Sequence, residues 1–136
     1  MPNEPLWLEA AEVIELNRLI VAETGEPFLV RDPGGLESAV GKPRNRWHYE
    51  GQDDALTLAV SLLFGIAGNH PFLQGNKRTG FEAALIFLLN NGYALDAALD
   101  GEGLATSITD VIAHTLSEAA FVVRLRPHLR ALPNAG

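Results

Sequence analysis

The chain contains no cysteine. Disulfide scaffolds, zinc–thiolate centres and cysteine nucleophiles are thereby excluded, and a reducing compartment is allowed. Basic residues are scarce: ten Lys and Arg stand against seventeen Asp and Glu, a formal net charge of −7. That balance disfavours nucleic acid as a direct partner, because a phosphate backbone is held by clustered cations. Long apolar runs are missing too. Glycine or charge interrupts each one before it reaches the roughly 20 residues of a spanning helix, so no membrane segment is expected. The opening residues, Met1-Pro2-Asn3-Glu4-Pro5, have neither the basic start nor the apolar stretch of a secretory signal. We therefore expect a cytoplasmic protein. A chain of 136 residues, 47% hydrophobic and 20% charged, should fold, and as one domain over residues 1–136.

The few cations are unevenly placed. None lies between Thr79 and Val123; Arg31, Lys42, Arg44 and Arg46 form one group, Lys77 and Arg78 another, and Arg124, Arg126 and Arg130 a third. An acidic chain that gathers cations beside one polar loop suits a small anionic ligand.

Helical signals dominate. Leu8 to about Glu23 reads as an amphipathic helix, with Val13, Leu16, Ile20 and Val21 near one face. Pro27, Pro33 and Gly34-Gly35 read as loop, followed by a short helix from Leu36 to Val40 that ends near Gly41 and Pro43. Residues 42–52, with Trp47, His48 and Tyr49, form a β-prone patch. Behind the caps Asp53-Asp54, residues from Ala55 through Ala67 are apolar nearly all round, and Phe81 to Leu89 forms a second such run, stopped by Asn90-Asn91-Gly92. Helices of that kind belong in the centre of a bundle. Tyr93-Ala94-Leu95 is at most a short extended piece. Asp100 can cap a helix to about Leu116, and Ser117 another from Glu118 to about Leu125, ahead of Pro127. The expected fold is all-α, a bundle of about six helices.

Between the two apolar helices lies a polar segment, with His70, Gln74, Asn76, Lys77 and Arg78 inside ten positions. Polarity next to a core is costly unless the groups satisfy one another or a ligand. Gly75 and Asn76 fall where the next helix begins, so unpaired N–H groups and the positive end of that helix face the loop, an arrangement that suits phosphate. Lys77 and Arg78 oppose the helix dipole there, and a bound anion would compensate them. His70 is a candidate general base, since histidine takes up protons near neutral pH. Phe72, the loop's one large apolar side chain besides Leu73, should anchor it. His48, His114 and His128 show no metal-ligand spacing, and neither a phosphate-loop nor a Gly-x-Ser-x-Gly string is present.

The stretch from His70 to Arg78 resembles the Fic/Doc family motif, His-x-Phe-x-(Asp/Glu)-(Gly/Ala)-Asn-(Gly/Lys)-Arg. Asp32-Pro33-Gly34, Leu36-Glu37-Ser38-Ala39 and Phe81-Glu82-Ala83-Ala84-Leu85 extend the likeness, which looks like the death-on-curing (Doc) branch. The resemblance implies a Fic-type bundle with a short β-like flap. It implies that His70 takes the proton of a target hydroxyl and that Phe72 anchors the loop. Gly75 and Asn76 would hold phosphate oxygens together with Lys77, and Arg78 would neutralise the transferring group. Residues 42–51, with Arg44, Arg46 and Trp47, would be the flap that registers a target segment by strand addition.

Lys77 followed by Arg78 and Thr79 is the Doc form, whereas nucleotidylating Fic enzymes carry Gly at the first position and a second Arg where this chain has Phe81. The implied activity is transfer of the γ-phosphate of ATP to a threonine of elongation factor Tu, which stops translation. The alternatives are nucleotidylation (AMPylation) of a protein hydroxyl and a catalytically silent Fic-fold binding protein. The self-inhibitory string of restrained Fic proteins is missing at Arg46 to Glu50-Gly51, so the implied restraint is a separate antitoxin, small and partly disordered. Gln74 stands at the family's acidic Mg²⁺ position. An amide oxygen can ligate Mg²⁺, but it supplies no charge, which weakens the implied metal site.

Overall fold

Helix α3 (Ala55–Asn69) is surrounded on all sides, with Leu56 and every residue from Leu58 to Ala67 buried. The computed structural model describes residues 3–96 and 101–133, and builds around α3 the helices α1 (Ala10–Glu23), α2 (Pro33–Glu50), α4 (Asn76–Asn90), α5 (Gly101–Ile112) and α6 (Glu118–Leu125). A short 3₁₀ turn, Arg126–His128, leads into strand β2 (Leu129–Ala131), which pairs antiparallel with β1 (Tyr93–Leu95) in the register Ala94 opposite Arg130. The expected all-α bundle of six helices is present. The expected cap Asp100 lies outside the described residues.

Two caps, Asp54 and Ser117, start their helices where the sequence placed them. The Asp54 carboxylate accepts from Thr57 N–H at 3.0 Å and from the Thr57 hydroxyl at 2.6 Å at the head of α3. Ser117 Oγ accepts from Ala120 N–H at 3.0 Å at the head of α6. Helix α4 lies very close to α3: a Cβ on Gly80 would stand 2.8 Å from the Leu63 carbonyl oxygen, so only glycine permits that approach. Ala83, Ala84, Phe87 and Leu88 of α4 complete the contact.

The stretch after Arg31 corrects the sequence reading. Residues 33–50 form one continuous helix, not a loop, a short helix over 36–40 and an extended flap over 42–51. Asp32 caps it, accepting from Gly35 N–H at 2.9 Å, and Pro33 occupies the first turn, where its missing N–H costs nothing. Pro43 lies inside the helix without ending it. Leu36, Ala39, Val40 and Pro43, spaced i, i+3, i+4 and i+7, are all buried against the bundle, and Trp47 packs on the core one turn later. Packing of that stripe outweighs the one backbone bond lost at Pro43.

Candidate functional site

The loop from His70 to Gly75 joins the C-terminal end of α3 to the start of α4. His70 ends α3 in the left-handed conformation, φ 49° and ψ 53°, with its N–H donating to the Ile66 carbonyl at 3.2 Å. Few side chains adopt that backbone. His70 is exposed there, just past a helix whose residues 58–67 are all buried. Phe72, two residues on, is 0% exposed and fixes the loop to the core as expected.

Asn76 closes the loop on itself. Its Oδ1 accepts from Phe72 N–H at 3.0 Å and its Nδ2 donates to the Phe72 carbonyl at 2.9 Å. The side chain is thus engaged with the backbone, and what Asn76 presents toward a ligand is the N–H of the helix start. Gly75 precedes it at φ 76°, and no side chain caps the helix there. Uncapped N–H groups at a helix start attract an anion. A Cβ on Gly75 would come within 3.2 Å of Val21 and 3.3 Å of Asn17, so position 75 admits glycine for both conformation and space.

Lys77 and Arg78 stand exposed on the first turn of α4, without an acidic residue in that turn. Lys77 Nζ lies 3.4 Å from Thr109 Oγ1. Arg78 pairs with Glu26, whose carboxylate the Thr24 hydroxyl and the Arg78 guanidinium together hold below the usual carboxylate range. The two cations also edge a cavity of about 720 Å³ between α1, α4 and α5, lined by Leu16, Ile20, Phe81, Leu104 and Ile108.

The segment laid along the His70–Gly75 loop is residues 29–32. Arg31 N–H and Asp32 N–H both donate to the Pro71 carbonyl, at 2.8 and 3.0 Å, Leu73 N–H donates to the Leu29 carbonyl at 2.9 Å, and Val30 bridges Phe72 antiparallel. The expected flap residues lie elsewhere. Arg44 pairs with Glu9 at 3.0 Å and sits over the Trp7 ring, Arg46 bonds Ser61 and Glu50, and Trp47 packs on the core. Ser61 precedes His70 by nine positions, which is about 13 Å along α3. Arg46 thus meets the middle of α3, and Arg44 and Trp47 are engaged with α1 and the core, so none of the three is bonded to the His70–Arg78 loop.

Gln74 is exposed, and the loop holds no carboxylate. Among the described residues no three His, Asp or Glu side chains gather as a metal site would require. The residues present do not fit a protein-anchored Mg²⁺, which is usually tied by one or two carboxylates. No helix of the described residues is long and apolar enough to cross a membrane.

Two participants were missed in the sequence, Glu26 and Asn17. Asn17 is buried on α1 and bonds the Gln74 carbonyl at 2.8 Å and Thr79 Oγ1 at 3.0 Å. Its signal was an amide on a core-facing stripe, one helical turn from Val13 and one from Val21.

A helical bundle in which a His-led loop opens directly onto an uncapped, cationic helix start defines a class, and residues 7–88 match the model of the Fic/DOC family. The chain belongs to that family. It is 33% identical over 81 residues to "Protein kinase doc" of Escherichia phage P1, covering 60% of this chain and 64% of that protein. It is also 38% identical over 77 residues to "Toxin Doc" of Mycolicibacterium smegmatis, covering 56% of this chain and 59% of that one. The chain thus spans less than two-thirds of the length of these curated relatives.

Proposed function

We propose that this protein is a Doc-like toxin that transfers the γ-phosphate of ATP to a hydroxyl side chain of a protein. The observation that carries the reading is the closed His70–Arg78 loop, with an exposed imidazole at one end and free helix N–H groups beside two cations at the other. The relative named as a protein kinase supports phosphoryl transfer as the reaction.

In this reading the hydroxyl proton passes to the His70 imidazole as the oxygen attacks the γ-phosphorus. The new O–P bond forms as the bond from that phosphorus to the bridging oxygen breaks, and ADP leaves. The N–H groups of Asn76 and its neighbours, with Lys77 and Arg78, carry the charge that gathers on the phosphoryl oxygens. Gln74 offers one neutral oxygen, so any Mg²⁺ would arrive with the nucleotide and be held chiefly by phosphates and water. Nucleotidylation is the less supported alternative, because Phe81 stands against the cavity where a second arginine would be required.

The target side chain would enter beside residues 29–31, whose backbone already follows the loop, and so take over the role the sequence reading gave to 42–51. A threonine of elongation factor Tu is the target that the family likeness suggests, which would place the action in the cytoplasm. The cavity between α1, α4 and α5, apolar with a cationic edge, suits an amphipathic antitoxin segment that folds as it binds. The test of the catalytic assignment is His70→Ala: phosphate transfer should fall by a factor of about 10²–10⁴ while the melting temperature holds. Wild-type transfer by that variant would remove His70 from the mechanism.

A further inference from the structure

Asn17 is 0% exposed on α1, between the buried Val13 and Val21. Its Nδ2 donates both protons, one to the Gln74 carbonyl at 2.8 Å and one to Thr79 Oγ1 at 3.0 Å. A carbonyl only accepts, so the amino group must face the loop, and the orientation of the amide follows. Its Oδ1 is then left buried without a partner. An orphaned acceptor in a core lowers stability. A leucine here would continue the apolar stripe and remove that orphan, at the expense of the donor to the Gln74 carbonyl and the Thr79 hydroxyl. The amide is therefore poorly suited to the core and well suited to the loop.

The two bonds bracket the turn at Gly75. Gln74 precedes it, and Thr79 lies one helical turn into α4, where its own N–H donates to the Gly75 carbonyl at 2.8 Å. Asn17 Nδ2 also comes within 3.3 Å of where a Gly75 Cβ would stand, so the side chain is the floor on which the turn rests. We propose that Asn17 is a positioning residue for phosphoryl transfer: from α1 it sets the Gln74–Gly75 peptide, and with it the direction of the α4 N–H groups and of Arg78. It touches no substrate. The proposal rests on the transfer reading above, and its test separates the two.

The full chain carrying Asn17→Leu is compared with wild type in three measurements: steady-state transfer from ATP, thermal melting, and hydrogen exchange of the Phe72 and Thr79 amides. Asn17→Leu should lower kcat about 10- to 100-fold, leave the KM for the protein target unchanged, and keep the melting temperature within a few degrees of wild type, since one orphaned acceptor is removed while the Gln74 carbonyl and Thr79 hydroxyl lose a donor. Exchange should accelerate at Phe72 and Thr79 and stay the same in the middle of α3. A wild-type kcat in that variant would overturn the proposal. So would a kcat loss that merely follows a lower melting temperature, with exchange accelerated throughout. Should the leucine overpack and the variant fail to fold, Asn17→Ala is read by the same criteria. If the wild-type protein itself transfers no phosphate, the transfer reading fails and exchange decides the positioning role: acceleration confined to the loop supports it, and unchanged exchange at Phe72 and Thr79 overturns it.

Discussion

Glu26 and Arg78 form an ion pair that ties the segment ahead of α2 to the first turn of α4. The arginine assigned to phosphate is thus already matched by a carboxylate of the same chain, and an incoming anion must compete with it. Both side chains are partly exposed, so the pair is weak and screened by salt. Glu26→Gln should then tighten ATP binding by up to about fivefold at low salt, as measured by calorimetry. The gain should shrink as ionic strength rises. Weaker binding in that variant would mean that Glu26 assists the nucleotide instead of opposing it.

Phe72 carries the loop's attachment to the core. Removing a fully buried phenyl ring costs about 3–5 kcal/mol, so Phe72→Ala should lower the denaturation midpoint sharply. It should also free the antiparallel contact between Val30 and Phe72, so that proteolysis reaches residues 24–32 before it reaches α3.

Asp54 gives the fold a defined acid sensitivity. The Arg126 guanidinium, held through two bonds at 2.9 and 2.7 Å, and then the Thr57 hydroxyl and N–H lower its carboxyl from 3.8 to about 2. A depressed folded-state value stabilises the native form above the ordinary value and ceases to do so as pH falls through the lower one. The contribution should be complete above about pH 4 and vanish toward pH 2, amounting to about 1 kcal/mol or less after solvent screening. Arg126→Gln should flatten that part of the stability–pH curve. An unchanged acid limb would contradict the assignment.

Gln74 separates weak metal dependence from inactivity. Gln74→Asp adds a carboxylate at an exposed loop position, and transfer should become faster and saturate at lower Mg²⁺ concentration. If the wild-type protein already saturates at the same Mg²⁺ concentration as the variant, position 74 does not meet the metal.

The centre of the site was legible because it is contiguous. His70 through Arg78 is one string between two apolar runs, and the structure keeps its ends, its anchor and its helix start where the pattern put them. Residues far away in the chain were not legible. Asn17 is 57 positions from Gln74, and Glu26 is 52 from Arg78, so only the packing of α1 and the approach of the segment before α2 bring them in. The flap was misplaced for a different reason. Trp47, His48 and Tyr49 carry β propensity, and Pro43 reads as a stop. The stripe Leu36, Ala39, Val40, Pro43 runs through that proline at helical spacing, and burial of the stripe decides the outcome. The strand pair of Tyr93–Leu95 and Leu129–Ala131 needed two short pieces far apart in sequence, which neither could announce alone.

The most direct test uses two samples of ATP, one labelled in the γ-phosphate and one in the α-phosphate, each incubated with the wild-type protein, Mg²⁺ and purified elongation factor Tu. Label from the γ-phosphate should appear on a threonine of the factor, and label from the α-phosphate should not. Transfer of the α label would identify a nucleotidylating enzyme, and transfer of neither to any protein, in a whole-cell extract as well, would contradict the account.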